Sequence, residues 1–390
     1  MQIPLRVAII GFYPWEATKI AGGTRMAVYL LAEGLRRHPD LDVHVIHCHS
    51  DILEDKTRAS ANLTVHYLAM PRRRVIPNMI SAVKRVAALL ERIRPRVVHA
   101  HLYSYAVAAL RAGFSPVWTI HGIPSREARY ASGIAERAFA LLSGSLASHY
   151  ERRALSGVRE ITTVNPCLQK YYGGKTTARW HLVENPVADA LFSLNRQPVN
   201  GRLLMPASVI PLKDPVTMVR ALAAARSRIP HLHLQIAGRA DQPHYLRKIQ
   251  RTCRELGVAA QVEFLGLQTQ DRMHRLYGQA ELVVLSSREE VSPLAAMEGL
   301  AAGIPVITTN AGGAPHIVED GVVGRVVEVG NPEALAEAIC GLLADRVAYR
   351  TMSANARSTA AARFRKDRIA DDYLAVYRLA LEGAGTAKVP

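Results

Sequence analysis

The segment that decides the fold reads SREEVSPLAAMEGLAAGIPVITT and runs from Ser287 to Thr309. It follows an apolar run, Leu282 to Leu285, which is typical of a buried parallel strand. Ser292 and Pro293 then predict the start of a helix, with serine as the N-cap and proline at the first helical position. Gly303 is a candidate C-cap, and a second strand follows it. The segment therefore predicts a strand, a helix and a strand in that order.

Two glutamates, Glu290 and Glu298, lie on either side of this helix start. Backbone amides and the helix dipole attract an anion there, whereas a carboxylate accepts hydrogen bonds from the hydroxyls of a sugar diol. The combination suits a ligand that carries both a diphosphate and sugar hydroxyls, such as a nucleotide sugar. A solvated pair of surface charges is the simpler alternative. Their place at the end of a buried strand, where open α/β sheets bind ligands, favours the binding site.

The composition is that of a globular protein. With 390 residues, 49% of them hydrophobic and 21% charged, the chain suggests two domains and an ample core. A net charge of +16 favours an anionic partner, which is a nucleic acid, an acidic lipid surface or a phosphorylated substrate. No helix-turn-helix or basic sheet with interleaved aromatic residues is present, so we expect no nucleic-acid partner.

The four cysteines are far apart in sequence and form no CxxC motif. This argues against a disulfide framework or a structural zinc site and fits a reducing compartment. Met1 to Pro4 leads directly into a strand, so no signal peptide is expected, and no stretch is predicted to span a membrane. We therefore expect a cytoplasmic protein, with peripheral attachment to the inner face of the cell membrane as an open alternative.

Strands alternate with helices in two sets along the chain. This pattern predicts an α/β protein with two parallel, doubly wound, Rossmann-like sheets that face each other across a cleft. The predicted boundaries are residues 1–186, 187–365 and 366–390, with residues 187–200 as a linker region. Twelve runs are predicted as strands: residues 6–10, 42–46, 63–67, 97–101, 116–120, 159–164, 202–205, 231–236, 261–265, 282–285, 304–308 and 324–329.

The N-terminal half holds two further candidate features. Gly22 and Gly23 precede a helix and would let backbone amides approach a ligand, although a simple turn explains them equally well. His121 follows a strand and precedes a glycine, so it would point into the ligand crevice. HxH pairs at residues 47/49, 99/101 and 231/233 have metal-like spacing, but no carboxylate or cysteine cluster accompanies them. We therefore expect no metal site.

Residues 71–96 are basic and have the apolar periodicity of an amphipathic helix. Such a helix can lie on an anionic membrane surface. It can also simply pack its apolar face against its own sheet, and the sequence leaves both alternatives open.

Over essentially its whole length, the chain resembles a GT-B glycosyltransferase of the large retaining family four. The segment Glu290-(seven residues)-Glu298, followed by Gly303-Ile-Pro-Val306, is the most specific signal. The supporting motifs are Gly22-Gly23, Thr119-Ile-His-Gly122, Glu184-Asn-Pro186, Lys213 ahead of a helix, Ile236-Ala-Gly238 and Phe264-Leu-Gly266. The resemblance implies a GT-B fold with an acceptor-binding N-terminal domain, a nucleotide-sugar-binding C-terminal domain and a last helix that crosses back to the first domain.

The resemblance also implies roles for single residues. Glu298 would hold the ribose hydroxyls and Glu290 the hydroxyls of the donor sugar. Lys213 would neutralise the diphosphate as the leaving group departs, and His121 would lie beside the transferring sugar. Glu290, Lys213 and His121 are thus the predicted catalytic residues. The other predicted donor contacts come from loops and helix starts: Gly22, Gly23, Ser208, Arg239, Leu267, Ser292, Leu294 and Ala295. The implied donor is a UDP-sugar or a GDP-sugar, and no metal is required.

The chain departs from the family pattern at two places. Where many relatives have a Gly-Arg pair shortly before the lysine, this chain has Ala207 and Ser208. One phosphate contact is therefore missing or comes from elsewhere, with Arg239 as a candidate. The family's usual Gly-Phe-Gly after the first glutamate is Val291-Ser-Pro293, and proline has no N–H to offer.

Together these features predict a retaining transferase that moves a hexose from a nucleoside diphosphate sugar to an acceptor hydroxyl, in the synthesis of a cell-surface glycan or a glycosylated metabolite. The acceptor stays open among a lipid-linked sugar, a polysaccharide and a small molecule. Two alternatives are a GT-B relative with other chemistry, such as a sugar-nucleotide epimerase or a phosphorylase, and a non-catalytic partner of another transferase.

Overall fold

A computed structural model describes residues 3–16, 20, 22–50, 52–70, 75–123 and 134–385. The chain divides into two compact units. The first consists of Met1–Trp15, Thr24–Pro186 and Lys366–Pro390, and the second of Glu16–Gly23 and Val187–Arg365. The acceptor-binding and donor-binding roles of the two domains stay predictions.

The first unit is built on an eight-stranded sheet with the order β3-β4-β2-β1-β5-β6-β7-β8. Its strands are β1 (Leu5–Ile10), β2 (Leu41–His49), β3 (Lys56–Ser60), β4 (Leu63–Ala69), β5 (Val97–Ala100), β6 (Val117–Ile120), β7 (Glu160–Thr163) and β8 (Arg179–Leu182). Its helices are α1 (Gly23–Leu35), α2 (Val75–Ile93), α3 (Tyr103–Arg111), α4 (Ile134–Gly157) and α5 (Pro166–Tyr172), with a 3-10 turn at Gly173–Lys175. The last helix of the chain (Lys366–Gly385) belongs to the same unit.

Every strand pair in this sheet is parallel except β3–β4, which is antiparallel. The strand β3 is not among the predicted strands, because all five of its side chains are exposed and no apolar alternation marks it. The strand β8, whose side chains are only partly buried, is also absent from them. Both strands lie at the edges of the sheet, where backbone pairing rather than burial holds a strand in place.

The second unit contains a six-stranded, fully parallel sheet with the order β11-β10-β9-β12-β13-β14. Its strands are β9 (Arg202–Met205), β10 (His233–Ala237), β11 (Val262–Gly266), β12 (Leu282–Leu285), β13 (Val306–Thr309) and β14 (Gly324–Val327). Its helices are α6 (Asp189–Phe192), α7 (Pro215–Arg226), α8 (Pro243–Glu255), α9 (Gln270–Gln279), α10 (Leu294–Ala301), α11 (Ala314–Ile317), α12 (Pro332–Ala344) and α13 (Arg346–Arg363), with 3-10 turns at Pro211–Lys213 and Ala259–Gln261. The final helix, Lys366–Gly385, is α14.

The strand order of this sheet reverses between β9 and β12. From β9 the chain proceeds outward to β10 and β11, and from β12 it proceeds outward in the opposite direction. The crevice beyond the carboxyl ends of two such strands is the usual ligand site of an open α/β sheet. The deciding segment of the sequence starts at the end of β12 and so lies at this point.

Residues 187–200 are not the linker that the sequence predicts. They contain α6, and the amide of Val187 donates a 2.9 Å hydrogen bond to the carbonyl of Phe364. The Arg196 guanidinium donates to the carbonyls of Ala280, at 2.9 Å, and of Gly303. These bonds fasten the segment to the second unit.

The predicted basic helix is present as α2, with Arg72, Arg73 and Arg74 of the basic stretch outside the described residues. Val83, Val86 and Leu90 on its apolar face are fully buried in the protein. Only its basic side is therefore available for a membrane surface. No helix in the described part of the chain is long and apolar enough to span a bilayer.

The last helix completes the core of the first unit. Ile369, Tyr373 and Tyr377 are buried in the same apolar cluster as β1 and α1. The two helices α1 and α14 approach closely at Gly34, where an added Cβ would lie 2.9 Å from the carbonyl oxygen of Lys366. The absence of a side chain at this position thus allows α14 to pack against α1.

We expect Gly34→Ala to destabilise the first unit by about 1–3 kcal/mol, because the new methyl group overpacks the contact between α1 and α14. Thermal and urea unfolding would measure the change. Gly341→Ala on α12 is the matched control, since nothing lies within 4 Å of its added Cβ and the helix gains up to about 1 kcal/mol from alanine. Equal effects of both substitutions would contradict the close packing.

Candidate functional site

The Glu290 carboxylate is the centre of the candidate site in the second unit. Only 8% of this residue is exposed, and Oε1 accepts a hydrogen bond from Lys213 Nζ at 2.6 Å and another from Ser287 Oγ at 2.7 Å. Lys213 ends the loop after β9, and Glu290 lies in the loop after β12. The structure therefore brings two of the predicted catalytic residues into direct contact at the switch point of the sheet.

Ser286 and Arg288 hold these two loops together. The Ser286 hydroxyl lies 3.0 Å from the carbonyl of Lys213 and 2.8 Å from that of Asp214. The Arg288 amide donates to the carbonyl of Leu212 at 2.9 Å, and its guanidinium forms an ion pair with Asp214 at 2.7 Å. These bonds hold the backbone that carries Lys213, and the hydrogen bond to Glu290 holds its ammonium group.

Asp214 shapes the turn that carries Lys213. Its φ of 44° is left-handed, a conformation in which aspartate is tolerated far better than most residues. From this position its carboxylate caps α7 by accepting from the Thr217 amide at 3.4 Å, and it also accepts a 2.7 Å hydrogen bond from the Thr217 hydroxyl. The Asp214 side chain thereby stabilises both the start of α7 and the turn that carries Lys213.

Two glycines permit the close approach of neighbouring loops to this site. A Cβ on Gly312, whose φ is +50°, would lie 2.1 Å from the carbonyl oxygen of Glu290, and one on Gly238 would lie 2.1 Å from that of Ala207. The Glu290 carbonyl accepts a 2.8 Å hydrogen bond from the Gly313 amide. Any side chain at Gly238 or Gly312 would force these loops apart.

The second glutamate, Glu298, lies on α10 and has a different environment. Its Oε2 accepts a 2.6 Å hydrogen bond from the hydroxyl of Tyr277 on α9. Burial raises the pKa of the Glu298 carboxyl to about 7, although the Tyr277 hydrogen bond opposes the shift. Burial and the adjacent carboxyl raise the pKa of Tyr277 well above its usual value, so the phenol keeps its proton.

The start of α10 differs by one residue from the prediction. The N-cap is Pro293 rather than Ser292, and the Pro293 carbonyl accepts from the Ala296 amide at 3.0 Å. The Ser292 hydroxyl instead lies 3.7 Å from Sδ of Met297. Leu294 and Ala295 are the first two residues of the helix, where amides have no acceptor within the helix.

The end of α10 agrees with the prediction. Gly303 has a φ of +70°, and its amide donates to the carbonyl of Leu300 at 2.8 Å. The Ile304 amide donates to the carbonyl of Gly299 at 2.9 Å. These two bonds form a Schellman motif, which requires a residue that tolerates the left-handed region.

The remaining predicted contacts are more scattered. Arg239 is exposed and forms an ion pair with Asp241 at 2.7 Å, while its carbonyl accepts from Val209 at 2.7 Å. Ser208 is half-buried in the loop after β9, and Leu267 is 41% exposed after β11. The structure therefore places Arg239 in a surface ion pair and does not bring it into contact with Lys213.

Gly22 and Gly23 lie just before and at the start of α1 and group with the second unit. Gly22 has a φ of +96°, which favours glycine. A Cβ on Gly23 would lie 3.3 Å from Cβ of Leu294. Both alternatives for the glycine pair, a simple turn and a phosphate contact, therefore stay open.

His121 belongs to a column of three histidine rings in the first unit, in which His99 and His101 are buried and His121 is half-buried. Nε2 of His121 is 2.8 Å from Nδ1 of His101, and the centroids of the His99 and His101 rings are 4.1 Å apart. His99 is bonded on both nitrogens, to Tyr377 at 2.8 Å and to Thr119 at 2.6 Å. The column connects the predicted catalytic histidine to α14.

Burial keeps these histidines neutral. It lowers the pKa of His99 to about 3 and that of His121 to about 4, and it lowers the pKa of His101 well below the ordinary value. A neutral His121 can donate or accept a hydrogen bond but carries no charge toward a ligand.

The sequence analysis missed several residues that contact the site. Ser286 and Ser287 had a usable signal, because they are short hydroxyl residues at the end of a buried strand. Arg288 and Tyr277 had none, since arginines are common in this chain and Tyr277 lies on another helix. Their contacts depend on the tertiary fold.

A metal site has no candidate within the described residues, where no group of three or more His, Cys, Asp or Glu side chains could hold an ion. The pairs His47/His49 and His99/His101 instead have their rings packed against each other.

Two family models match the chain. One is described as a glycosyl transferase 4-like domain and covers residues 22–188, and the other is described as glycosyl transferases group 1 and covers residues 192–359. Together they cover most of the chain, which therefore belongs to the glycosyltransferases built from these two domains.

Among curated relatives, the chain is similar to a D-inositol 3-phosphate glycosyltransferase of Segniliparus rotundus, with 34% identity over 45% of this chain and 39% of the relative. The chain spans about two fifths of the length of the curated relatives it matches. Among solved structures, it is similar to a sucrose-phosphate synthase of Thermosynechococcus elongatus, with a TM-score of 0.80 and 22% identity over 97% of this chain and 100% of the other. HepE of Anabaena, solved with UDP and glucose, gives a TM-score of 0.73 and 18% identity over 98% and 100%. The fold is GT-B, as the sequence predicts.

We expect acid to destabilise the protein through the histidine column. His99 has a pKa of about 3 when folded and about 6.5 otherwise, so below pH 6.5 the unfolded chain binds a proton that the folded chain excludes. The contribution of the neutral His99 to the free energy of unfolding is complete above pH 6.5. As the pH falls from 6.5 toward 3, this contribution is lost at roughly 1 kcal/mol per pH unit.

Urea unfolding at pH 7, 6 and 5 would measure this slope. His99→Gln should reduce the slope of the free energy of unfolding against pH by the amount that one fewer titrating group explains. Thr162→Val, which removes a hydrogen-bond partner of Thr119 in the same network, should lower stability equally at each pH. A slope that His99→Gln leaves unchanged would contradict the neutral column.

Proposed function

We propose that the chain transfers a hexose from a nucleoside diphosphate sugar to an acceptor hydroxyl and retains the anomeric configuration. The observation that carries the proposal is the direct contact of Lys213 with Glu290 at the switch point of the second sheet. The Lys213 ammonium group can neutralise the diphosphate of a nucleotide sugar, and the buried Glu290 carboxylate can accept hydrogen bonds from its sugar hydroxyls. The pair therefore suits both parts of such a substrate.

We assign the donor contacts as follows. Lys213 would bind the diphosphate and stabilise the charge that grows as the sugar leaves. Glu290 would accept from hydroxyls of the hexose, and Glu298 from those of the ribose. The amides of Leu294 and Ala295 would add to the positive potential at the phosphate. Protein cations and amides then supply what a metal would, so the proposed reaction needs none.

His121 would act as a neutral hydrogen-bonding group beside the transferring sugar. Because burial lowers its pKa to about 4, it is not an acid at neutral pH. In the proposed reaction the acceptor attacks the face from which the nucleotide departs, and an oxygen of the leaving phosphate takes the acceptor's proton. Glu290 then binds the sugar and forms no covalent bond to it.

The relatives support a uridine nucleotide as the first donor to test. HepE of Anabaena has been solved with UDP and with UDP-glucose, and a guanosine nucleotide is the second candidate. For the acceptor the names of relatives indicate a phosphorylated polyol in one case and L-malate in another. We leave open whether the acceptor is a small molecule, a lipid-linked sugar or a polysaccharide.

We expect Lys213→Met to lower kcat/KM by about 10²- to 10³-fold, because the leaving diphosphate loses its main counter-charge. Acceptor-dependent release of UDP or GDP from a panel of nucleotide hexoses would measure it. Lys248→Met, an exposed lysine on α8, is the matched control and should keep full activity.

Glu290→Gln in the same assay should cause a similar loss, with the protein still folded. Wild-type turnover by Lys213→Met would contradict the proposed phosphate role. Conversion of the donor without acceptor would favour the epimerase alternative, and nucleotide binding without turnover would favour a non-catalytic partner.

We further propose peripheral attachment at an anionic membrane surface through the basic side of α2, where Lys84 is exposed and Arg85 half-buried. Vesicles with anionic lipid should sediment the protein, and Lys84→Glu with Arg92→Glu should weaken this binding. Equal sedimentation with neutral vesicles, or none in low salt, would contradict it.

A further inference from the structure

We propose that Tyr277 is a positioning residue for the donor ribose, because its hydroxyl holds the Glu298 carboxylate in the orientation that accepts the two ribose hydroxyls. The inference rests on the proposed function, which assigns Glu298 to the ribose. It adds a residue on a separate helix that determines how well a ribonucleotide is distinguished from a deoxyribonucleotide.

The first observation is the contact itself. The Tyr277 hydroxyl lies 2.6 Å from Oε2 of Glu298, a short distance that is typical of a hydrogen bond to an ionised acceptor. The contact joins two helices that precede and follow β12, α9 and α10. A bond between these helices holds Glu298 from the side of α9, in addition to the turn at Val291 to Pro293 that leads into α10.

The second observation is the burial of the tyrosine. Only 1% of Tyr277 is exposed, and a buried phenol needs a partner for its hydroxyl. Among the described residues this partner is Glu298. Tyr277 is therefore held by its packed ring at one end and presents a fixed donor at the other.

The direction of the hydrogen bond follows from the two environments. Tyr277 keeps its proton because burial raises its pKa well above the usual value, so the phenol donates and the carboxylate accepts. The same bond favours the ionised form of Glu298 against the effect of burial. The ionised form, which predominates above the pKa of about 7, accepts only, and this is what two ribose hydroxyls require.

The geometry leaves one oxygen for the ligand. With Oε2 occupied by the phenol, Oε1 has both of its lone pairs open to hydroxyl donors among the contacts described. The terminal torsion of a glutamate is broad, so an unheld carboxylate rotates easily. The tyrosine removes that rotation before the nucleotide arrives, and this preorganisation improves affinity.

A purely structural role of Tyr277 predicts a different result. Loss of packing would weaken UDP and 2′-deoxy-UDP alike, because both nucleotides occupy the same folded site. A positioning role affects the ribonucleotide more, since only it has both hydroxyls. The ratio of the two dissociation constants is therefore the informative quantity.

The experiment measures binding of UDP and 2′-deoxy-UDP, and of the guanosine pair, to the wild type, Tyr277→Phe, Glu298→Gln and the double variant. The wild type should prefer the ribonucleotide by about 10- to 100-fold, as expected for hydrogen bonds to a charged group. Tyr277→Phe should reduce this preference by about 3- to 10-fold. In the Glu298→Gln background, Tyr277→Phe should change it no further.

Tyr349→Phe is the matched control. Tyr349 is also a buried tyrosine of the second unit, but its hydroxyl donates to the backbone carbonyl of Glu281 at 2.8 Å. The variant should lose stability and keep the ribose preference. Should Tyr277→Phe fail to fold, Tyr277→Met fills a similar volume without a donor and takes its place.

The outcomes separate the two levels of the proposal. Suppose that Glu298→Gln loses the preference for the ribonucleotide, but Tyr277→Phe keeps it at the wild-type level. This result overturns the positioning role of Tyr277 and leaves the proposed function intact. A wild type without any preference, or a Glu298→Gln variant that retains it, overturns the ribose role of Glu298 and the inference with it.

Discussion

The contact between the Lys213 ammonium and the Glu290 carboxylate is the constraint on which the second unit depends. Only 8% of Glu290 is exposed, and a buried carboxylate without a partner costs free energy, so its pairing with Lys213 favours one arrangement of the loops after β9 and β12. The Ser286 hydroxyl and the close approach at Gly312 support the same arrangement. The same pair that holds the loops together also presents the cation and the acceptor to a ligand.

The first unit differs, because the polar side chains of its histidine column are neutral rather than paired charges. Its histidine column carries no charge at neutral pH, and the hydroxyls of Tyr377 and Thr119 are hydrogen-bonded to the two ring nitrogens of His99. A neutral network needs no counter-ion, but it tolerates acid poorly. The chain thus places charge at one candidate site and excludes it from the other.

Strands and helix ends that depend on neighbouring residues could be predicted from the sequence. The apolar runs of β9 and β12 were predicted to the residue, and Gly303 was predicted from the need for a left-handed residue after α10. The exposed edge strand β3 was missed because only its backbone holds it in the sheet. The direct contact of Lys213 with Glu290 and that of Tyr277 with Glu298 were missed for another reason. These contacts join residues 77 and 21 positions apart, so they exist only once the sheet order has brought the loops and helices together.

The place of α14 in the first unit has a consequence for the order of assembly on the ribosome. Residues 187–365 contain the core cluster of the second unit and are joined near their ends by the bond from Val187 to Phe364. The first unit, although it is synthesised first, lacks Ile369, Tyr373 and Tyr377 until the last helix emerges. Domains generally complete their folding in the order of synthesis. In this chain the unit that is made second is the first that can close its core.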